Sequence, residues 1–139
     1  MSRYVLDTNA VIGLMKSAEP LSQRVFRHDI GDFVIPAIVS YEIFWGVFRS
    51  SRVAENMTRA SLFFRDFAIE PFTGSDAIEA GRVRAELAAI GQPIGPYDIL
   101  IAGQTRARGW TVVTNNLREF ERVAGLSVED WSIERPMTP

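Results

Sequence analysis

Short apolar runs that stop at polar turn formers, alternating with stretches of helical spacing, constrain this chain more than any other feature. The first run is Tyr4-Val5-Leu6, which breaks off at Asp7-Thr8-Asn9. β-branched and aromatic residues followed by turn formers predict a buried strand over residues 3–6, with Asp7 at its carboxyl end. The pattern recurs at Phe33-Val34-Ile35, at residues 68–72 and at residues 110–114, with a last edge strand expected within residues 127–133. Between the strands, helical spacing predicts a short helix ending near Ser17, another over residues 21–26, and a helix over residues 41–48 capped by Ser40. Further helices are expected over residues 53–67, from Asp76-x-x-Glu79 to Gly91, over residues 97–108 with Pro96 in the first turn, and over residues 117–123. Strands alternating with helices imply an α/β fold with a parallel sheet of four to five strands covered on both faces.

Length and composition narrow the chemistry. The 139 residues suit one domain, expected over residues 1–133, with a frayed tail at 134–139. No apolar run approaches the roughly 20 residues that span a bilayer. Nothing at the start reads as a secretory leader, and a reducing cytoplasm is the simplest compartment for a chain without cysteine. His28 is the only histidine, so histidine-built metal sites and triads are excluded, and acids and hydroxyls must carry any catalysis. The net charge of −2 gives no global attraction to nucleic acid. Fourteen arginines stand against one lysine, Lys16. That bias reads either as phosphate-binding capacity or as a general preference for arginine.

The acids fall into a pattern. In an open α/β sheet, ligands gather beyond the carboxyl ends of the strands, where Asp7 is expected. Glu42 is expected in the first turn of the helix after the second strand, at the same edge. Asp98 opens the helix that runs back before the fourth strand, so its N-terminus returns to that edge. Asn115, Asn116 and Glu119 follow the fourth strand there. Each acid alone has an ordinary explanation as a helix-start residue, worth about 0.3–1 kcal/mol. Together they repel, by about 4 kcal/mol per pair at 4 Å and an effective dielectric near 20. An all-oxygen cation site for Mg²⁺ or Mn²⁺ answers that repulsion.

Several stretches then converge on a family. They are Leu6-Asp7-Thr8-Asn9, Ser40-Tyr41-Glu42, Arg84-Ala85-Glu86-Leu87, Gly91-Gln92-Pro93-Ile94-Gly95-Pro96-Tyr97-Asp98 and Val113-Thr114-Asn115-Asn116-Leu117-Arg118-Glu119-Phe120. With these the chain resembles PIN-domain ribonucleases, in particular the VapC toxins of bacterial toxin–antitoxin pairs, as far as Trp131. The resemblance implies a three-layer α/β/α PIN fold and a Mg²⁺-dependent endoribonuclease with Asp7, Glu42 and Asp98 at the metal. It also implies an RNA target, tRNA foremost, and a VapB-type antitoxin. Such a toxin would form a homodimer, and a hetero-oligomer that binds operator DNA through the antitoxin. Many PIN domains carry a fourth acid where this chain has Asn116.

Other assignments stay open at this level. Thr8 and Thr114 read as phosphate donors or as turn residues. Asn116 and Glu119 have capping-box spacing, and equally serve as a neutral contact and a fourth carboxylate. Phe44, Trp45 and Phe48 are expected to line an antitoxin groove, because Phe44, Trp45, Phe48, Phe63, Phe64 and Phe67 cannot all face one core. A Mg²⁺-dependent phosphatase and a non-catalytic RNA- or protein-binding PIN-like module are the rivals. The phosphatase needs a lysine by its phosphate, and Lys16 falls in a helix. Decay to a binding module would not retain all three central acids.

Overall fold

The computed structural model describes residues 3–133; the tail expected at 134–139 lies outside them. Five parallel strands form one sheet: β1 (Tyr4–Leu6), β2 (Phe33–Pro36), β3 (Ala68–Glu70), β4 (Thr111–Val113) and β5 (Ser127–Glu129), in the order β3-β2-β1-β4-β5. Register runs Val5↔Val34 and Val5↔Val112 across the centre. The central strands are fully buried at Val5, Leu6, Val34, Ile35 and Val112, as expected of a parallel sheet covered on both faces. The helices are α1 (Thr8–Met15), α2 (Leu21–Phe26), α3 (Ala37–Phe48), α4 (Val53–Arg65), α5 (Gly74–Ala89), α6 (Pro96–Arg108) and the single turn α7 (Leu117–Phe120).

Two helix starts differ from the sequence expectation. Ser40 does not cap α3; the helix begins at Ala37 behind Pro36, and the Ser40 hydroxyl donates back to the Ala37 carbonyl at 2.8 Å. Pro36 ends β2 and suits the helix start because its missing N–H would be unpaired there. Glu42 therefore stands in the second turn of α3. Likewise Asp76 is not the cap of α5. Thr73 caps it, with Asp76 at the third helical position closing a full capping box: Thr73 N donates to Asp76 Oδ2 at 2.8 Å, and Asp76 N donates to Thr73 Oγ1 at 3.3 Å. The terminus of α6 follows expectation, with Pro96 in its first turn and Gly109 in the left-handed conformation (φ 65°) at its end.

Helices α5 and α6 pack most closely where Gly103 meets Ala80. A Cβ built on Gly103 would lie 2.4 Å from Ala80 Cα, so the two backbones touch. Beside this contact Arg108 joins Asp76 and Glu70, and Arg106 joins Glu79 and Glu86. This seam fixes the direction of α6 and hence the place where its first turn meets the sheet edge. Gly103→Ala should lower folding stability by about 1–3 kcal/mol, as overpacking does, read as a lower thermal unfolding midpoint.

Candidate active site at the carboxyl edge of the sheet

The strand order reverses direction between β1 and β4. Connections from β1 proceed outward through β2 to β3, and the chain then crosses back to β4 and β5. Such a switch point opens a crevice between the carboxyl ends of the two central strands. Asp7, the first residue past β1, sits in it. Its N–H bonds the Val113 carbonyl at 3.3 Å across the crevice floor. Its carboxylate caps α1 by accepting from Ala10 N at 2.8 Å, and it takes a hydrogen bond from Thr114. Asp7 is buried, and that burial pushes its carboxyl up to about 6, with the charges of Glu42 and Asp130 adding to the rise.

The remaining acids close in around it. Asp98, in the first turn of α6, is pushed up to about 7. Burial is the main cause, followed by the hydrogen bond that the protonated Asp98 carboxyl donates to Glu119 and the charges of Asp7, Glu119 and Glu42. Asp98 folds back over Gly95, whose Cβ position lies 3.4 Å from Asp98 Oδ2. Glu42 is fixed by the Thr8 hydroxyl, which donates to its Oε1 at 2.9 Å. Asn9 and Asn115 tie the two lips together, Asn9 Nδ2 donating a hydrogen bond to Asn115 Oδ1 at 3.0 Å.

Asn116 occupies the N-cap position of α7, yet its side chain makes no capping bond. Instead Asn116 Nδ2 donates to Glu119 Oε2 at 2.9 Å, while its backbone N–H is taken by Thr114 Oγ1 at 2.9 Å. The expected capping box is thus absent. A neutral amide steadies the carboxyl that reaches Asp98. Thr8 and Thr114 each spend their one hydroxyl proton on a carboxylate of the cluster, which makes them fixtures of the acids rather than free phosphate donors.

Asp130, the first residue past β5, is a site neighbour that sequence reasoning missed. Its charge acts on Asp7, and its Oδ1 accepts from Ser132 N at 2.8 Å. The signal was an acid one residue beyond an edge strand, the same signal that marked Asp7, concealed by expecting that strand to continue to residue 133.

Electrostatic pairing separates these acids from the scaffold acids. Glu70, Asp76, Glu79 and Glu86 all pair with arginine. Among the described residues, no arginine or lysine pairs with Asp7, Glu42, Asp98 or Glu119. An all-oxygen donor set with uncompensated charge fits a hard divalent cation. The acids ring the crevice loosely: no three Asp, Glu, His or Cys side chains among the described residues meet as a closed metal cage.

Next to Glu42 a groove of about 420 Å³ runs between α1, α3 and α4, lined by Ile12, Met15, Lys16, Trp45, Arg49 and Arg59 among others. Of the three aromatics expected in such a groove, Trp45 forms a wall. Phe48 is exposed at the end of α3, and Phe44 turns to the core side against Phe64 at 5.4 Å. Helix α3 begins one turn earlier than expected; Trp45 parts from Phe44 by the roughly 100° between successive residues, and Phe48 is exposed because it is the last residue of the helix.

The raised carboxyls set a pH dependence. Unfolded, both aspartates titrate near 3.8; folded, they hold protons to about 6 and about 7. The folded chain therefore binds more protons in between, and its stability falls as pH rises through that window. Below it the penalty vanishes. In chelator, the thermal midpoint of Asp98→Asn should exceed that of the parent chain by more at pH 8 than at pH 5, because the substitution removes one of the repelling charges.

Comparison with known proteins agrees with this geometry. The PIN domain family model matches residues 4–126. The tRNA(fMet)-specific endonuclease VapC of Shigella flexneri is 37% identical over 132 residues, covering 95% of this chain and 100% of the relative. Ribonuclease VapC2 of Haemophilus influenzae is 36% identical, covering 94% and 99%. The DNA-bound VapBC structure from Salmonella typhimurium superposes with a TM-score of 0.89 at 38% identity, covering 94% of this chain and 99% of that one. Divalent-metal dependence is general among PIN-domain nucleases. With its switch-point acids, its sheet order and its match along nearly the whole sequence, the chain belongs to the PIN-domain family, among the VapC ribonucleases.

Proposed function

We propose that this chain is the toxin of a type II toxin–antitoxin pair, a Mg²⁺-dependent endoribonuclease that cuts an exposed loop of a structured RNA, tRNA first among the candidates. The carrying observation is the group of carboxylates without cationic partners at the β1/β4 switch point. A phosphodiester would be repelled by that group, and only a bound cation reverses its field. Mg²⁺ held there supplies positive charge to the phosphate and acidity to water. Asp7 and Asp98 would be the principal ligands, with Glu42 completing the set. Glu42, held in one orientation by Thr8, is the carboxylate best placed to orient the attacking water. Glu119, steadied by Asn116, shares with Asp98 the proton that Asp98 must give up to bind metal as an anion. In-line attack leaves a 3′-hydroxyl and a 5′-phosphate, as the PIN-family resemblance implies. Duplex RNA hides its scissile groups from a crevice of this kind, whereas loop nucleotides splay open.

The partner reading rests on the groove beside Glu42. Three relatives of known structure are VapBC complexes, two of them bound to DNA. A VapB-type antitoxin segment fits the channel walled by Trp45, Ile12 and Met15, with Lys16, Arg49 and Arg59 at hand for acidic side chains. The same relatives support a toxin–antitoxin complex that binds operator DNA; the family resemblance implies a dimeric toxin and DNA contact through the antitoxin. No helix among the described residues is long and apolar enough to cross a membrane, and the cytoplasm, where tRNA is found, is the expected compartment.

Purified protein incubated with labelled tRNA should cleave it with Mg²⁺ and leave it intact in EDTA. Asp98→Asn should fold normally and lose about 10²-fold or more in rate; activity near the parental level in chelator would overturn the metal mechanism. Glu119→Gln should keep its melting midpoint, since the carboxyl caps nothing, yet slow cleavage at least tenfold, or about 1.4 kcal/mol in the barrier, and weaken the Mg²⁺ response. Trp45→Ala should weaken inhibition by the antitoxin more than it changes cleavage. Inhibition at the parental concentration would remove Trp45 from the antitoxin surface.

A further inference from the structure

Two tyrosines stand at the mouth of the carboxylate crevice. Tyr41 precedes Glu42 on α3 and Tyr97 precedes Asp98 on α6. Their rings lie 5.6 Å apart at 56°, and their hydroxyls meet at 3.2 Å. Both remain substantially exposed, Tyr41 at 53% and Tyr97 at 41%. The pair sits in the field of the site: the Tyr97 hydroxyl is raised first by its bond and charge coupling to Tyr41, and also by Glu42.

Neither ring is needed where it is by packing. Neither belongs to the buried core or to the aromatics packed against it. A hydroxyl–hydroxyl bond open to water adds little to stability, because water competes for both partners. The backbone beneath is stiff: Tyr97 follows Gly95-Pro96 in the first turn of α6, and Tyr41 lies within α3. Two rigidly held rings, exposed beside a site that handles a phosphodiester, have the form of a stacking platform. Unpaired bases stack on aromatic side chains whatever their identity, because every base has a π-face. A tyrosine also loses little conformational freedom on binding, having only two side-chain torsions.

We propose that Tyr41 and Tyr97 form a base-stacking clamp that holds an unpaired nucleotide flanking the scissile phosphate and so places that phosphate over the carboxylates. The clamp is a substrate-positioning device resting on the nuclease reading. It explains selection of single-stranded loops by a site whose own acids touch only backbone: a base locked in a duplex stack cannot enter between the rings and the crevice. The helices α3 and α6 carry the two rings side by side, and the aromatic faces provide the contact.

The test uses a stem-loop RNA carrying 2-aminopurine at each loop position in turn, with the full chain and its Tyr41→Phe, Tyr97→Phe, Tyr41→Leu and Tyr97→Leu variants. Parent protein should quench the fluorophore at one or two positions next to the cut. The phenylalanine variants should keep both quenching and cleavage within about threefold of parent. The leucine variants should lose quenching at those positions and lower kcat/KM at least tenfold, about 1.4 kcal/mol, mainly through KM, with melting midpoints unchanged. An abasic nucleotide at the quenched position should impair the parent but cost the leucine variants nothing further. Cleavage by the parent together with parental kcat/KM in both leucine variants overturns the clamp and leaves the nuclease reading standing. No Mg²⁺-dependent cleavage of any RNA by the parent overturns both. A fall in activity matched by a fall in the melting midpoint, without loss of quenching, assigns the pair to tethering α3 to α6 and also overturns the clamp.

Discussion

Uncompensated negative charge in a partly buried crevice is the constraint on which this structure turns. Two carboxylates about 4 Å apart at an effective dielectric near 20 repel by about 4 kcal/mol, and the local compensations are smaller. Capping α1 through Ala10 gives Asp7 about 0.5–2 kcal/mol. The first turn of α6 gives Asp98 about 0.3–1 kcal/mol. Burial, the larger cause, and this remaining repulsion together appear as protons held to about pH 6 and about pH 7. A fold able to keep such a group together must be anchored elsewhere. The anchors are the fully buried central strands and the α5–α6 seam, where Gly103 brings two backbones into contact.

The seam also shows how the chain separates two uses of the same residue types. Asp76 is entirely buried, yet its carboxyl is held below the usual carboxylate range, because Arg108 and the Thr73 cap outweigh the cost of burial. Asp7 is nearly as buried and shifts the opposite way, because no cation faces it. Burial alone does not mark a functional acid; burial without a partner does.

Much of this was legible from sequence, for identifiable reasons. Asp7 was readable because a strand ending in an acid is a local pattern. Asp98 was readable because Pro96 marks the helix start and the β-α-β alternation fixes the direction of α6. Glu42 was placed at the correct edge from a mistaken frame. Ser40 is a good cap by composition, but an apolar Ala37-Ile38-Val39 turn, buried at Val39, begins the helix earlier, and no local propensity reports that. Asn116 and Glu119 matched a capping box by spacing. A four-residue helix gains little from a cap, and the side chains instead serve the neighbouring carboxyl of Asp98, a contact made across 21 residues of sequence. The same holds for Thr8 and Thr114, whose partners exist only after the strands are assembled.

The surplus of arginine resolves along the same line. Arg82, Arg106 and Arg108 are committed to scaffold acids. Arg24 and Arg122 donate to carbonyls, and Arg3 lies over the ring of Trp110. A composition-level argument for phosphate binding would count all of these. Lys16, Arg49 and Arg59 line the groove beside Glu42, and Arg49 rests 4.1 Å from the centre of the Trp45 ring. Positive charge thus borders the crevice on the side where the antitoxin is proposed to lie, and among the described residues no arginine or lysine pairs with the crevice acids. On the proposed function, an anionic backbone reaching the acids would depend on bound metal for its charge balance and on stacking or shape for its grip, which is how a chain with net charge −2 would act on a polyanion.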